Sequence, residues 1–281
     1  MSGSTPPPAA RLSVVTASAS SRAVIFRKGP SWQTLCIAWD RSNHTFEIGQ
    51  WLVARMFAES SDLSPKGNHL VYYAGNGRRG WWTAVSHPPW LTASFFAPQL
   101  IGGRNDGGVF APDGGLLLVD PYTDKPQQFR PAVVQDFPGV GENFYGVGLQ
   151  AAKRLMRGWR HVSGEKSDVI FAKPLGRDWE LRESPLYPGP QSWEWGYALF
   201  NRKSGALETK PEWTWADIWK NKLQVATTGG IRESELHSSG EVDDLILVRD
   251  FSAMTYERRP PPDWVARTAV KRHWNGIHSD S

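Results

Sequence analysis

Short apolar runs separated by turn residues make up most of this chain. Runs of four or five apolar residues alternate with clusters of glycine, proline, asparagine, aspartate and serine, a pattern typical of β-strands bounded by turns. Helical periodicity is confined to Leu149–Met156 and to residues 262–270, where Asp263 would cap the helix. The pattern therefore predicts an all-β protein with short helices at these two places. The clearest strand candidates are 12–15, 23–26, 35–39, 70–73, 116–119, 169–172, 223–226 and 245–248.

A polar turn that leads into an apolar strand recurs about every 50 residues. Each of these turns follows another short strand candidate. A repeat of about 40–50 residues is the size of one four-stranded propeller blade, so the spacing predicts a series of similar sheets. The turns are centred on Ala19, Gly67, Gly114, Gly164 and Asn221.

A second similarity links residues 38–47, AWDRSNHTFE, with residues 199–208, LFNRKSGALE. In both segments an aromatic residue, an Asx residue and an arginine precede a polar turn, an apolar residue and a glutamate. Turn residues between short alternating runs are typical of a β-hairpin. We therefore expect a hairpin between the two outer strands of a blade at each place.

The tryptophan content fits a ring of stacked sheets. A four-stranded sheet cannot bury both faces alone, and radial stacking lets each blade cover its neighbours. The 15 tryptophans suit the wedges between blades, because aromatic side chains bury large areas. We therefore expect an all-β fold, a β-propeller in which five blades fit the spacing best. Six blades, with further strands in 129–145 and 183–195, or a β-sandwich are the alternatives.

Two turns, LSPKG at 63–67 and FAPDG at 110–114, each lead into an apolar strand and resemble the turns of WD-repeat and TolB-type propellers. The chain as a whole is similar to uncharacterised bacterial propeller-like proteins. It departs from true WD repeats, because no blade ends in Trp-Asp with a Gly-His partner upstream, and Trp39-Asp40 falls in a predicted hairpin instead. The resemblance implies a platform whose loops present binding groups, and it transfers no catalytic residue.

Composition sets the expected boundaries and compartment. Residues 1–10 are expected to form a disordered tail, residues 11–260 the propeller, and residues 261–281 a C-terminal tail with a short helix. The formal charge is +4 with both signs interspersed, so nucleic-acid binding is not expected. The sequence has no apolar run long enough to span a membrane and begins without a secretory signal pattern. We therefore expect a cytoplasmic protein that does not bind membranes.

Sequence motifs for the common catalytic and metal sites are missing. The seven histidines lack the spacing of a zinc-binding helix, and the single cysteine, Cys36, lies in an apolar run, as a buried inert thiol would. The glycine-rich residues 102–108 and 139–144 lack the context of phosphate-binding loops, and no G-x-S-x-G elbow occurs. No catalytic residue, metal or cofactor is therefore expected.

Carboxylates near the inferred inner strands keep a second hypothesis open. Some five-bladed propellers are glycosidases that hold aspartate and glutamate side chains in a central funnel. Glycoside hydrolysis requires two carboxylates roughly 5–10 Å apart. A funnel with converging carboxylates would support a carbohydrate-active protein, and a plugged apolar channel would contradict it. The candidate carboxylates are Asp62, Asp106, Asp168 and Asp217.

Aromatic clusters provide the candidate binding site. The densest is WWTAVSHPPW at 81–90, where exposed tryptophans beside histidine and proline would form a hot spot for a partner, whereas alternate tryptophans on a strand would fill the space between blades. The leading hypothesis is a non-catalytic propeller scaffold that binds another protein. The alternative is a carbohydrate-active propeller, either a glycoside hydrolase or lectin-like. The candidate partner-binding residues are Trp82, His87, Trp90, Trp193 and Trp195.

Overall fold

The computed structural model describes residues 10–29, 32–78, 80–99, 107–119, 149–164, 168–186 and 194–270. Within them the regular secondary structure is mostly antiparallel strands, and the strands of each sheet pair in sequence order. Such meanders form where strands are joined by short turns. The all-β prediction is confirmed.

Four sheets of four or five strands and one sheet of two strands are present in the described ranges. Blade 1 consists of β1 (Arg11–Thr16), β2 (Arg22–Lys28), β3 (Gln33–Asp40) and β4 (Thr45–Val53). Blade 2 consists of β5 (Arg55–Leu63), β6 (Leu70–Asn76), β7 (Gly80–Ser86) and β8 (Ala93–Gln99). The two-stranded sheet pairs β9 (Gly107–Phe110) with β10 (Leu116–Val119).

The second half of the chain supplies the remaining elements. Blade 3 follows the first helix, α1 (Leu149–Met156), and consists of β11 (Arg160–Ser163), β12 (Ile170–Pro174), β13 (Trp179–Leu186), β14 (Glu194–Asn201) and β15 (Leu207–Thr209). Blade 4 consists of β16 (Trp215–Trp219), β17 (Lys222–Ala226), β18 (Gly230–Glu235) and β19 (Ile246–Asp250), and it precedes α2 (Asp263–Thr268).

The sheets stack around a common axis. The first strand of blade 1, β1, lies against β5 of blade 2 and also against β16 and β17 of blade 4. Between blades 3 and 4, β14 contacts β16, and β9 lies beside β5. Sheets that cover each other side by side in this way form a β-propeller, as the repeat spacing predicts.

The number of blades differs from the expectation. The described residues show four blades, not the five or six expected from the spacing. The turn at Gly114 joins only β9 to β10, a two-stranded sheet, so this repeat of the turn pattern does not mark a blade. A turn motif predicts the pairing of the two strands that it joins, and it does not predict whether two further strands pair with them. Residues 120–148 lie outside the described ranges.

The local turn predictions are confirmed. Each of the five turns joins the first two strands of its sheet. Residues 38–47 form the β3–β4 hairpin, and residues 199–208 form the β14–β15 hairpin. Asp40 and Asn201 close these hairpins alike, because each side chain accepts hydrogen bonds from backbone N–H groups two residues or more ahead.

Aromatic side chains fill the spaces between blades. Trp39 of blade 1 meets Trp215 of blade 4 edge-to-face, with ring centroids 6.1 Å apart. Trp82 of blade 2 belongs to a core cluster with Phe26 and Cys36 of blade 1. The sequence prediction that tryptophans pack the wedges is therefore confirmed at these two interfaces.

Hydrogen bonds join the start of the described chain to blade 4. The N–H of Gly229 donates to the carbonyl oxygen of Ala10 at 2.8 Å. The buried guanidinium of Arg27 donates to the carbonyl oxygens of Phe251 and Ser252 at 2.8 and 2.9 Å. Blades 1 and 4 are thus joined by polar contacts as well as by the aromatic core.

Both predicted helices are present. The prediction for α1 matches its observed bounds. For α2, the N-cap is Pro262 rather than Asp263, which lies in the first turn, where a carboxylate still favours the helix dipole. Val265 of α2 is fully buried, and the N–H of Val270 donates to the carbonyl oxygen of Ala93 beside blade 2. In the part of the chain that the structure describes, neither helix has the length and apolar character of a membrane span.

Candidate functional site

Polar side chains of helix α1 pack against β5, the first strand of blade 2. Gln150 and Lys153 reach β5, where the Gln150 amide donates to the carbonyl oxygen of Glu59 at 2.6 Å. The Lys153 ammonium donates to the carbonyl oxygens of Glu59 and Ser61 at 2.8 and 2.9 Å. The helix therefore donates hydrogen bonds to carbonyl groups of β5, as the backbone of a neighbouring strand would.

Arg154 of α1 forms a buried ion pair with Glu183 of blade 3. Its guanidinium donates two hydrogen bonds of 2.8 Å to the carboxylate of Glu183 on β13, the bidentate geometry that arginine favours. The same carboxylate accepts a hydrogen bond of 2.9 Å from the Tyr197 hydroxyl. The guanidinium also lies over the indole of Trp195, 3.3 Å from the ring centroid. Arg154 thus fixes α1 to blade 3.

Arg157, just after α1, binds to blades 1 and 2. It donates to one carboxylate oxygen of Asp62 at 2.5 Å and to the carbonyl oxygen of Thr16 at 2.6 Å. The other Asp62 oxygen accepts a hydrogen bond of 2.7 Å from the N–H of Phe110 on β9. Asp62 is 1% exposed, so it acts as a buried anchor for three separate segments.

These side chains surround a small axial cavity of about 80 Å³. Four carboxylates line the cavity, those of Glu59, Asp62, Glu183 and Asp217, and each forms an ion pair with an arginine or lysine. The cavity is polar and partly filled by the helix, so it matches neither an open carboxylate funnel nor a plugged apolar channel.

Burial shifts the pKa of several groups at the cavity. Desolvation lowers the pKa of Lys153 to about 8, although the charges of Asp62 and Glu59 oppose the shift. Desolvation also raises the pKa of Glu59, whose nearest cation is Arg154 at 3.8 Å. It raises the pKa of Tyr197 well above the ordinary tyrosine value, and the neighbouring carboxylate of Glu183 adds to the effect.

A second buried charge cluster joins blades 1, 3 and 4. Asp217 accepts hydrogen bonds from Lys173 at 2.5 Å and from Arg41 at 2.9 Å. Desolvation would raise the pKa of Asp217, but these two cations prevail and lower it. The Arg41 guanidinium also lies 5.4 Å from the ring centroid of Trp215 and 5.2 Å from that of Trp219. This cluster therefore binds the blades together through paired charges.

The four sequence-predicted carboxylates have different surroundings. Asp62 and Asp217 line the axial cavity, whereas Asp168 is exposed just before β12 and Asp106 lies outside the described residues. Sequence reasoning missed Glu59 and Glu183. It also missed Lys153 and Arg154 of α1. Basic residues on an amphipathic helix within a β-rich sequence were the available signal that this helix contacts buried acids.

A separate apolar cleft of about 600 Å³ opens between blades 1 and 2. Its walls come from the β2–β3 loop, the end of β4, the β6–β7 turn and the start of β7. This volume lies within the range typical of ligand-binding clefts, which is about 300–1,000 Å³. The lining residues are Trp32, Leu52, Val53, Asn76, Gly77, Arg78 and Trp82.

Two exposed apolar side chains lie beside a buried tryptophan in this cleft. Trp32 is 56% exposed and Val53 is 52% exposed, whereas Trp82 is 5% exposed. The Asn76 amide donates to the carbonyl oxygen of Val53 at 3.2 Å, and its oxygen accepts from the N–H of Arg78. The Asn-Gly turn is therefore held against blade 1, with its arginine at the cleft.

The structure distributes the predicted partner-binding residues over different places. Trp82 lines the cleft, whereas Trp195 is 6% exposed beneath the guanidinium of Arg154. His87 lies 4.7 Å from His69 between ring centroids and 5.3 Å from Trp264 of α2.

Trp90 follows the cis Pro88-Pro89 bond and is partly buried, and Trp193 lies outside the described residues. Sequence reasoning missed Trp32 and Val53. For Trp32, the available signal was an isolated tryptophan after the turn-type sequence Gly-Pro-Ser. For Val53, the sequence offered no signal.

Comparisons with protein-family models and with curated protein sequences return no match for this chain. Among solved structures, a putative 6-phosphogluconolactonase of Bacteroides fragilis shares 14% identity, over 82% of each chain, with a TM-score of 0.35. The β-propeller domain of the Trilobed protease of Pyrococcus furiosus shares 12% identity, over 83% of this chain and 71% of that chain, with a TM-score of 0.28.

An uncharacterised protein of Listeria monocytogenes shares 7% identity, over 85% of this chain and 66% of that chain, with a TM-score of 0.28. At these TM-scores the similarity transfers no activity to this chain.

Proposed function

We propose that this chain is a non-catalytic β-propeller scaffold that binds a segment of another protein in the cleft between blades 1 and 2. The observation that carries the proposal is the cleft itself, in which the indole of Trp32 and the side chain of Val53 stay half exposed beside buried Trp82. A concave apolar lining of this size is typical of a binding cleft, and tryptophan is enriched at binding hot spots.

The axial cavity supports a structural role for the charged residues around it. Its volume of about 80 Å³ is far below that of the cleft, about 600 Å³. Glu183 and Asp62 are each held by an arginine at hydrogen-bond distance, so neither is free to attack a substrate or to accept its proton. The turns at Gly67 and Gly114, similar to those of WD-repeat and TolB-type propellers, agree with a scaffold, and we propose a cytoplasmic setting for it.

The carbohydrate-active alternative draws on the same cavity. It has in its favour that carboxylates from β5, β13 and β16 converge there, with the pKa of Glu59 raised. Against it stand the ion pairs and the small volume, since a sugar ring would need α1 to leave. Purified protein should therefore show no turnover of chromogenic glycosides. Turnover that Glu183→Gln abolishes in a protein whose circular dichroism is unchanged would favour this alternative instead.

Site-specific photocrosslinking in the native host tests the cleft proposal. A benzophenone amino acid is placed either at Trp32 in the cleft or at Leu207, which is 55% exposed on β15 of blade 3. We expect a discrete protein adduct from position 32 and none of the same size from position 207. The adduct at position 32 should disappear when Val53→Glu places a charge in the cleft.

Two outcomes would contradict the proposal. One is the same adduct from both positions, which would mean that the capture is non-specific. The other is an adduct at position 32 that survives Val53→Glu in a protein whose circular dichroism is unchanged. In that case the apolar wall of the cleft would not contribute to binding.

A further inference from the structure

Resting on the proposed function, we infer the chemistry of the partner segment: it presents apolar anchor side chains flanked by aspartate or glutamate. The apolar part of the cleft selects the anchors, and the guanidinium of Arg78 at the cleft selects the flanking acids. Both halves of this inference come from residues at one end of blades 1 and 2.

One cation lies at the cleft itself. Arg78 is exposed in the β6–β7 turn and lines the cleft. Arg55, at the start of β5, lies on the other face of blade 2, with its guanidinium 4.8 Å from the ring centroid of Phe57. Arg78 is therefore the cation that a segment bound in the cleft would meet.

The acids near this end are already engaged. Glu194 forms an ion pair with Arg11 at 2.5 Å, and Glu59 faces the axial cavity, where Arg154 is 3.8 Å away. Among the described residues that line the cleft, the charged residue is Arg78. A partner therefore meets one cation, Arg78, that no acid among these lining residues balances.

Surface charge of this kind acts mainly on specificity and on the rate of association. Complementary charges steer an acidic segment toward the cleft, and like charges reject a basic one. An arginine side chain at the edge can bind a carboxylate with two parallel hydrogen bonds. Burial of the anchor beside Trp32 and Val53 supplies the affinity, since apolar area removed from water is the main favourable contribution.

The volume of the cleft indicates more than one anchor. A cleft of about 600 Å³ lies in the range of clefts that hold a whole drug-sized ligand, about 300–1,000 Å³, which is more than one apolar side chain needs. Two apolar side chains close together in an extended segment fit this space. The expected ligand is thus a short peptide in which two large apolar residues lie between acidic ones.

Fluorescence anisotropy with three labelled peptides tests the inference on the full chain. The peptides share phenylalanine and leucine anchors and differ only in their flanking residues, which are aspartate, serine or lysine. We expect the aspartate peptide to bind about tenfold more tightly than the serine peptide, and the lysine peptide to bind most weakly. The preference should shrink as salt rises from about 50 to about 300 mM, because exposed charges are screened.

Charge-reversal variants complete the test. Arg78→Glu should remove the preference for the aspartate peptide, and Arg78→Gln should reduce it. The matched control is Arg177→Glu, because Arg177 is also in an exposed turn, with 81% of its side chain exposed, but on blade 3. Arg177→Glu should leave all three affinities unchanged. Equal effects of Arg78→Glu and Arg177→Glu would overturn the inference.

The outcomes separate this inference from the proposed function. Equal binding of all three peptides, abolished by Trp32→Ala, would overturn the acidic preference and leave the cleft as a protein-binding site. Binding of none of the peptides would contradict the inference, and the crosslinking result would then decide the proposed function alone.

Discussion

At the scale of single residues, the stability of the molecule depends on charges that are buried together with their partners. The Arg154 side chain is 10% exposed and that of Glu183 is 5% exposed. Removal of two charges from water is costly, and the pair is tolerated because each charge is matched by the other and by further hydrogen bonds. The loss of one partner leaves an uncompensated charge.

Arg154→Met should therefore destabilise the fold by about 3–5 kcal/mol, because Glu183 would remain buried without a cation. Arg177→Met is the matched control, since Arg177 is exposed and its carboxylate partner is 3.4 Å away. It should change stability by less than about 0.5 kcal/mol. Urea unfolding followed by tryptophan fluorescence measures both changes, and similar effects of the two variants would contradict a buried ionic anchor.

Cys36 gives a stability dependence on pH with a defined sign. Burial raises the pKa of this thiol far above its ordinary value near 9. The native state keeps the proton above pH 9 while the unfolded chain loses it, so the stabilisation present below pH 9 is lost as pH rises.

Between pH 8 and pH 10 the wild type should lose about 1.4 kcal/mol more of its unfolding free energy than Cys36→Ala. Groups common to both proteins cancel in this difference. Urea unfolding of each protein at the two pH values measures it. An equal loss in both proteins would mean that the thiol ionises in the native state.

Single residues were unevenly predictable from the sequence. Cys36 was expected to be buried and is buried, since its apolar neighbours alone require it. Trp32 and Glu183 were not identified, because whether a side chain is exposed or paired depends on residues far away in sequence. Glu183 and Arg154 are 29 positions apart, and no local pattern links them.

At the scale of elements, turns and hairpins were the most predictable features. The turn glycines adopt positive φ angles, +75° at Gly67 and +91° at Gly114, a conformation that glycine adopts without strain. Helix α1 was placed at its observed bounds because its periodicity is local. Its position beside β5 and β13 was not predictable, since that position depends on carbonyl and carboxylate groups of those two strands.

Close approach of two loops provides a prediction at this scale. Gly176, after β12, packs against the backbone of Gly240 between β18 and β19, and a Cβ at position 176 would lie 2.3 Å from the Gly240 nitrogen. Gly176→Ala should destabilise the protein by about 2–3 kcal/mol through overpacking.

The matched variant is Gly205→Ala, in an exposed turn with nothing within 4 Å of the added Cβ. The open surroundings leave only the strain of its positive φ, +76°, which costs about 1 kcal/mol. Thermal unfolding of the two variants measures the difference. A smaller effect at position 176 than at position 205 would mean that the loops of blades 3 and 4 separate easily.

At the scale of the whole molecule, the propeller architecture followed from the repeat of turns, but the number of blades did not. Turn spacing reports chain length between similar corners, whereas a blade also requires four strands that pair with one another. Arg41 and Asp217 join blades 1 and 4 across 176 positions of sequence. No local sequence pattern predicts a contact over that separation.

Two different sites result from this closed arrangement. The inner one is small, polar and filled with paired charges, and the outer one is large, apolar and open. We assign stability to the first and binding to the second. A partner segment is therefore expected to contact the cleft between blades 1 and 2 and to leave α1 unaffected.

Hydrogen–deuterium exchange of the full chain, with and without the aspartate-flanked peptide, shows which of the two sites binds. We expect slower exchange around Trp32, in residues 51–54 and in residues 75–78, with no change in α1 (Leu149–Met156). Protection of α1 with unchanged exchange in those three segments would contradict it, because the axial cavity would then be the binding site.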